Sequence, residues 1–291
     1  MRALVKLLFW LVSKLPLPAV YTVGGALGRL VFWLSPQYRR RLRENLRAAG
    51  YSDMRIIAEA ARGAGRQAFE TGWIWLRPAR DLFTKVEAAD FEQMQAAQID
   101  GRPTIYLTPH LGCFEICSKG YALHDGARRR PMTVLYRIPR KSVLRDVVES
   151  GRMADYLRLA PADLRGVRML IRAMQNKEAV GILPDQVPSH GDGVYAPFFG
   201  RPAYTMTLPA RLAAQFNATI ILVYGERLLR GRGYRIHTRR LQQPLTGNIQ
   251  RDAAVINQEL EAMIRERPEQ YLWGYNRYKV PAAHSEAAVK A

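Results

Sequence analysis

Pro103-Thr-Ile-Tyr-Leu-Thr108-Pro-His110-Leu-Gly-Cys-Phe-Glu115 reads as a strand that stops at a proline and re-forms as a helix. The first half is short, β-branched and apolar, as a buried strand should be. Residues 114–123 then have the composition of a helix. The junction carries an imidazole and, five residues on, a carboxylate. Five is not a helical repeat, but a strand end and the first turn of the next helix can face each other. A histidine held by a carboxylate is a ready general base near neutral pH, able to take a proton from an alcohol. With five His and 25 acids in 291 residues, one such spacing arises by chance about a third of the time. The surroundings must therefore carry the argument.

Working outward, residues 132–136 form a second apolar strand that ends at Arg137, and residues 179–183 a third that ends in Pro184-Asp185-Gln186. Helical patterns cover 56–75, 141–156, 164–176, 207–216 and 252–265, with further strands at 219–224 and 234–238. This alternation predicts an α/β fold with a central, mostly parallel or mixed sheet flanked by helices. In open α/β sheets, chemistry gathers at the carboxyl ends of the strands. His110, Arg137 and Asp185 all fall at such ends: a base, a cation and a second carboxylate.

Residues 1–35 differ in kind. Two apolar runs, 1–13 and 19–34, are separated by Lys14 and two prolines. The second would reach about 24 Å as a helix, short of the roughly 30 Å hydrocarbon core. It reads as a retained anchor that dips into or obliquely crosses one bilayer. Residues 38–47 follow with five arginines, a placement that favours an anionic cytoplasmic leaflet and keeps the following domain on that side. The expected organisation is an anchor at 1–35, one catalytic domain at 36–281 and a disordered tail at 282–291.

The formal charge of +19, from 44 Lys and Arg against 25 acids, calls for an anionic partner. No recognised nucleic-acid module is present, and no glycine-rich phosphate loop. The two cysteines, Cys113 and Cys117, lack the companions of a zinc site. They read as small core residues in a reducing compartment, and neither a metal nor another cofactor is expected.

Several segments resemble the bacterial lipid A late acyltransferases, within the wider glycerolipid acyltransferase-like superfamily. These are His110-x-x-x-x-Glu115, Pro184-Asp185-Gln186-Val187-Pro188, Ala196-Pro-Phe-Phe-Gly200-Arg-Pro202 and Pro268-Glu-Gln-Tyr-Leu-Trp273. The resemblance spans about residues 3–281. It implies an inner-membrane enzyme, with its catalytic domain on the cytoplasmic face, that moves a fatty acyl group from acyl carrier protein to a hydroxyl of a lipid A precursor. It further implies that His110 is the base and Glu115 its orienting carboxylate. Arg137, Asp185 and Gln186 become candidate substrate-binding residues, with Phe198 and Phe199 shaping an acyl tunnel or bracing the site. Asp185 could alternatively pair with Arg137. Arg128–Arg130, Arg140 with Lys141, and the cations of 227–240 are candidate docking patches for the acidic carrier or the phosphorylated lipid. Many relatives carry His-Arg after the terminal Trp, where this chain has Gly274-Tyr-Asn-Arg277. An acyltransferase acting on a lysophospholipid or amino lipid, from acyl coenzyme A, has the same His/acid chemistry. A non-enzymatic basic protein that binds membrane or nucleic acid is the reading from another class.

Overall fold

The computed structural model describes residues 2–99, 101–139 and 142–281. Helices α1 (Arg2–Lys14), α2 (Leu17–Leu34), α3 (Pro36–Ala48), α4 (Met54–Leu76), α5 (Ala79–Phe83) and α6 (Ala88–Ala96) precede the first strand, β1 (Thr104–Leu107). There follow α7 (Phe114–Leu123), β2 (Met132–Tyr136), α8 (Ser142–Arg152), β3 (Leu157–Pro161), α9 (Leu164–Gln175) and β4 (Ala179–Ile182). The chain is completed by β5 (Gly193–Phe198), β6 (Arg201–Met206), α10 (Leu208–Phe216), β7 (Thr219–Arg227), β8 (Tyr234–Arg240) and α11 (Ile249–Glu266).

Six strands make one sheet in the order β3-β2-β4-β1-β7-β8. All neighbours are parallel except β7 and β8, so the expected mixed α/β sheet is present. Strand periodicity divides the interior in two. Ile105, Leu107, Val180, Ile182, Ile220 and Leu222 point to the face covered by α9, α10 and α11. Tyr106, Ala179, Ile221 and Val223 point to the face covered by α6, α7 and the second half of α4.

Three of the strands were not expected. β3 is an edge strand whose last residue is Pro161, where a missing N–H is tolerated. β5 and β6 form a separate antiparallel hairpin turned by Phe199 and Gly200, both at positive φ (46° and 71°), as a two-residue loop of the primed type needs.

The N-terminal segment is a helical hairpin. Its α2 is the one helix among the described residues long and apolar enough to cross a membrane, by length and composition. It lies against α4 at very short range: a Cβ on Gly65 would sit 2.0 Å from the Gly24 carbonyl oxygen, and one on Gly28 would sit 2.3 Å from that of Ala61. Only a small-residue seam allows this approach. The outward face stays apolar, with Leu7, Leu8, Trp10, Leu11, Leu30 and Val31 exposed and Trp33 and Leu34 at 65% and 73% exposure.

Candidate active site

His110 sits three residues beyond the end of β1, on a loop whose path is fixed from three sides. The Gly112 amide donates to the Gln270 carbonyl (3.1 Å), the Cys113 amide to the Gly225 carbonyl (2.7 Å), and the Leu272 amide to the carbonyl of His110 itself (3.1 Å). Gly112 has φ +58°, and a Cβ there would lie 2.0 Å from the Gly225 oxygen. A buried ion pair backs the loop: Arg227 Nη2 donates to Glu70 Oε1 (2.7 Å) and to the Gly112 carbonyl (2.6 Å). Arg227 is thus a structural cation, and its expected place in a docking patch is corrected. Arg130 likewise donates to the carbonyls of Arg102 and Ile99. Arg140, Lys141 and the tail at 282–291 lie outside the described residues.

The carboxylate that holds the imidazole is Asp185, and the expectation that Glu115 would do so is corrected. His110 Nδ1 lies 2.8 Å from Asp185 Oδ1, and the His110 amide donates to Oδ2 at 2.9 Å. β4 is the neighbour of β1, so residues just past the two strand ends stand side by side. Glu115, in the first turn of α7, faces elsewhere. It takes Arg152 Nε at 3.1 Å, pairs with Arg152 Nη2, and accepts from Trp75 Nε1 at 2.9 Å. Arg152 lies over the Trp75 ring. Removing either partner would leave a charge with little solvent, which makes this pair structural as well as polar.

A carboxylate accepts hydrogen bonds and cannot donate them. Nδ1 of His110 therefore carries a proton, which leaves the lone pair on Nε2 whenever the ring is uncharged. That nitrogen receives the Gln186 side-chain amide at 3.0 Å, and Phe114 packs edge-on against the ring, centroids 4.9 Å apart. Asp185 is only 2% exposed. Burial works against its charge, but the charge of His110, the two hydrogen bonds from it and the nearby Arg277 together hold the carboxyl below its ordinary range. Arg277 donates to the Tyr204 carbonyl (2.6 Å) and to Thr205 Oγ1 (2.7 Å). The sequence reading noted Arg277 only as the end of an atypical tetrapeptide, with no local pattern linking it to Asp185.

These groups open onto a cavity of about 820 Å³, toward the upper end of the range for small-molecule sites. His110, Glu115, Arg152 and Gln186 form its polar waist, with Phe114 beside them. Its inner end is apolar and buried, lined by Met94, Tyr106, Cys117, Met132, Val134, Gly181 and Val223. Its mouth is marked by exposed Arg137, Ala162, Asp163, Leu164, Ser189, Asp192 and Arg211. Arg137 thus stands at the opening, with Nη2 3.5 Å from the Val187 carbonyl, and Asp185 pairs with the histidine in its place. Phe198 and Phe199 are not among the lining residues. They are buried at the hairpin, where Phe199 packs on Trp273 (5.3 Å) and Phe198 lies beneath Arg277 (5.1 Å). Of the two roles expected for them, tunnel and brace, their position fits the brace.

The arrangement suits transfer to an alcohol: an imidazole oriented by Asp185 on one nitrogen and touched by Gln186 on the other, on the wall of a long cavity that is wet at one end and oily at the other. Cys113 and Cys117 are both buried, and burial pushes their thiols far above the usual range, so neither offers a thiolate. Among the described residues no group of three His, Cys, Asp or Glu could hold a metal ion.

The sequence matches the family described as bacterial lipid A biosynthesis acyltransferase over residues 2–280. It is 25% identical over 280 residues to a lipid A biosynthesis lauroyltransferase of Escherichia coli K12, covering 93% of this chain and 88% of that one. A lipid A biosynthesis palmitoleoyltransferase of the same organism is 26% identical over 283 residues, with the same coverage. A lipid A biosynthesis acyltransferase of Haemophilus influenzae is 25% identical over 207 residues, covering 70% of this chain and 63% of that one.

Proposed function

From the premise that this chain belongs to the bacterial lipid A biosynthesis acyltransferase family, we propose that it transfers a fatty acyl group from acyl carrier protein to a hydroxyl of a lipid A precursor, with His110 as general base. The donor's acyl chain lies in the apolar end of the cavity, gaining about 0.8 kcal/mol per buried methylene, and its thioester carbonyl rests at the waist. His110 Nε2 takes the proton of the acceptor hydroxyl as the oxygen attacks that carbonyl. The tetrahedral intermediate then collapses, the carbon–sulfur bond breaks, and the departing thiolate recovers the proton from His110. Asp185 holds the Nδ1 proton and stabilises the imidazolium, the part of the third member of a catalytic triad. Arg137 at the mouth meets anionic substrate. Glu115 contributes through Arg152, as a fixed polar wall. The chemistry needs no cofactor beyond the carrier's thioester.

The observation that carries this reading is the His110–Asp185 pair on the wall of an oil-floored cavity. The exposed apolar face of the α1–α2 hairpin, followed by the arginines of α3, supports attachment to the cytoplasmic leaflet of the inner membrane. The test is mass spectrometry of lipid A from cells lacking their late acyltransferases, with this chain expressed. The expected result is a gain of one acyl group that disappears with His110→Ala. No gain from folded, membrane-bound protein would overturn the assignment of the acceptor.

A further inference from the structure

We propose that the exposed arginine row of α9, Arg165, Arg168 and Arg172, is the surface on which the acidic carrier protein docks to deliver its acyl group. This rests on the carrier being the donor and assigns it a place. α9 contains three arginines and no acidic residue. Its buried side is Gly166, Leu170, Ala173 and Met174, and the three arginines project from the opposite side, all exposed. Among the described residues none of them makes an ion pair or a side-chain hydrogen bond. By contrast, three arginines elsewhere are engaged: Arg152 with Glu115, Arg158 with Glu178, Arg239 with Glu266. The row is spaced i, i+3, i+7, about 10 Å along one helix face, the interval at which a helix carrying acids on one side presents them.

Position is the second observation. Leu164 and Val167 of the same helix line the cavity, and Leu164 is 78% exposed at its rim. Arg211, at the start of α10, adds a fourth exposed cation across the mouth. Two acids share that rim. Asp163 caps α9 by accepting from the Gly166 amide (2.9 Å), which commits it to the helix end, and Asp192 is on the loop before β5, against the start of α10. A carrier seated on the row would therefore have its prosthetic arm at the opening. A membrane surface is a poorer occupant. α9 covers the sheet face of Leu170 and Met174, whereas Val12 of α1 and Leu17, Val20 and Tyr21 of α2 pack into the core of the opposite face. Complementary charge steers association and sets its salt dependence more than it adds contact energy.

The experiment compares the full-length enzyme with the triple variant Arg165→Glu/Arg168→Glu/Arg172→Glu, using one acyl group presented on carrier protein and on pantetheine alone. The unacylated carrier serves as a competitive inhibitor. The variant should raise KM for the acylated carrier and the inhibition constant of the free carrier at least tenfold, with turnover of the pantetheine thioester within twofold of wild type. Salt should raise KM in the wild type and scarcely in the variant. The single changes to Gln, which keep the helix, should give graded increases. An unchanged KM for the carrier would overturn the docking site while leaving the donor intact. Equal losses on both donors would also overturn it, since the row would then act on the cavity itself. So would lost binding to anionic vesicles with carrier kinetics unaltered. A wild-type enzyme that ignores the carrier would instead overturn the donor assignment, and the docking surface with it.

Discussion

Asp185 fixes which nitrogen of His110 carries the proton, and an amide in its place would not. Asp185→Asn keeps the shape and removes both the charge and the obligatory acceptor. We expect kcat to fall by about 10²–10⁴-fold with KM little changed, measured by steady-state transfer with a fixed donor. The same residue sets a pH dependence. Its carboxyl lies below the ordinary 3.8 in the folded protein, so its stabilising contribution is present above that value and is lost as pH falls through the folded one. Denaturant titrations between pH 3 and 6 should show wild-type stability dropping below about pH 4, and a flatter curve for Asp185→Asn. Gly181 makes a different prediction. A Cβ there would meet Val134 Cγ2 at 3.1 Å and Met132 Sδ at 3.4 Å, on the buried wall of the cavity. Gly181→Val should shift donor preference toward shorter acyl chains, read as the ratio of kcat/KM across a chain-length series. Much at this scale was legible, because strand ends are visible in a sequence and His110, Arg137 and Asp185 were placed on them. The pairing was not. Sequence proximity favoured Glu115, five residues away, over a carboxylate 75 residues on, and only the adjacency of β1 and β4 reverses that order.

At the scale of elements, apolar runs and helical periods located five of the six main-sheet strands and every long helix behind them, with ends shifted by a few residues. β3 escaped because Arg158 and Pro161 dilute a five-residue run at a sheet edge, where one flank needs no partner. The Phe198–Phe199 pair was legible as buried but not as to what it lies against, since a tunnel wall and a packed hairpin demand the same oily side chains. Helix crossings leave a clearer mark. Gly24 and Gly28 on α2 face Ala61 and Gly65 on α4 with almost no room. Gly65→Val would have to push two backbones apart, and overpacking of this kind costs about 1–3 kcal/mol or more. The expected result is a lowered denaturation midpoint and loosened attachment of α2, seen as faster proteolysis between α2 and α3.

For the whole molecule, the two sheet faces have separate work. One is covered by α9, α10 and α11 and bears the arginine row beside the cavity mouth. The other holds the oily end of the cavity and the root of the N-terminal hairpin. The hairpin's free side has the composition of an interfacial anchor, with Trp33 and Leu34 the most exposed apolar residues of α2. Trp33→Asp/Leu34→Asp should weaken flotation with anionic vesicles severalfold while transfer between detergent-dispersed substrates is retained. Full vesicle binding by the double variant would relocate the contact surface.

Trp75 has three neighbours that belong to different parts of this plan: Phe9 of α1 stacks on its ring at 6.0 Å, Arg152 of α8 covers it at 5.4 Å, and its indole nitrogen donates to Glu115. The N-terminal hairpin and the cavity wall therefore share one hinge pin. A truncation that trims α1 would bare one side of that indole and slacken the wall it supports, so it should cost turnover even in detergent, whereas Trp33→Asp/Leu34→Asp, at the far end of α2, leaves the indole covered.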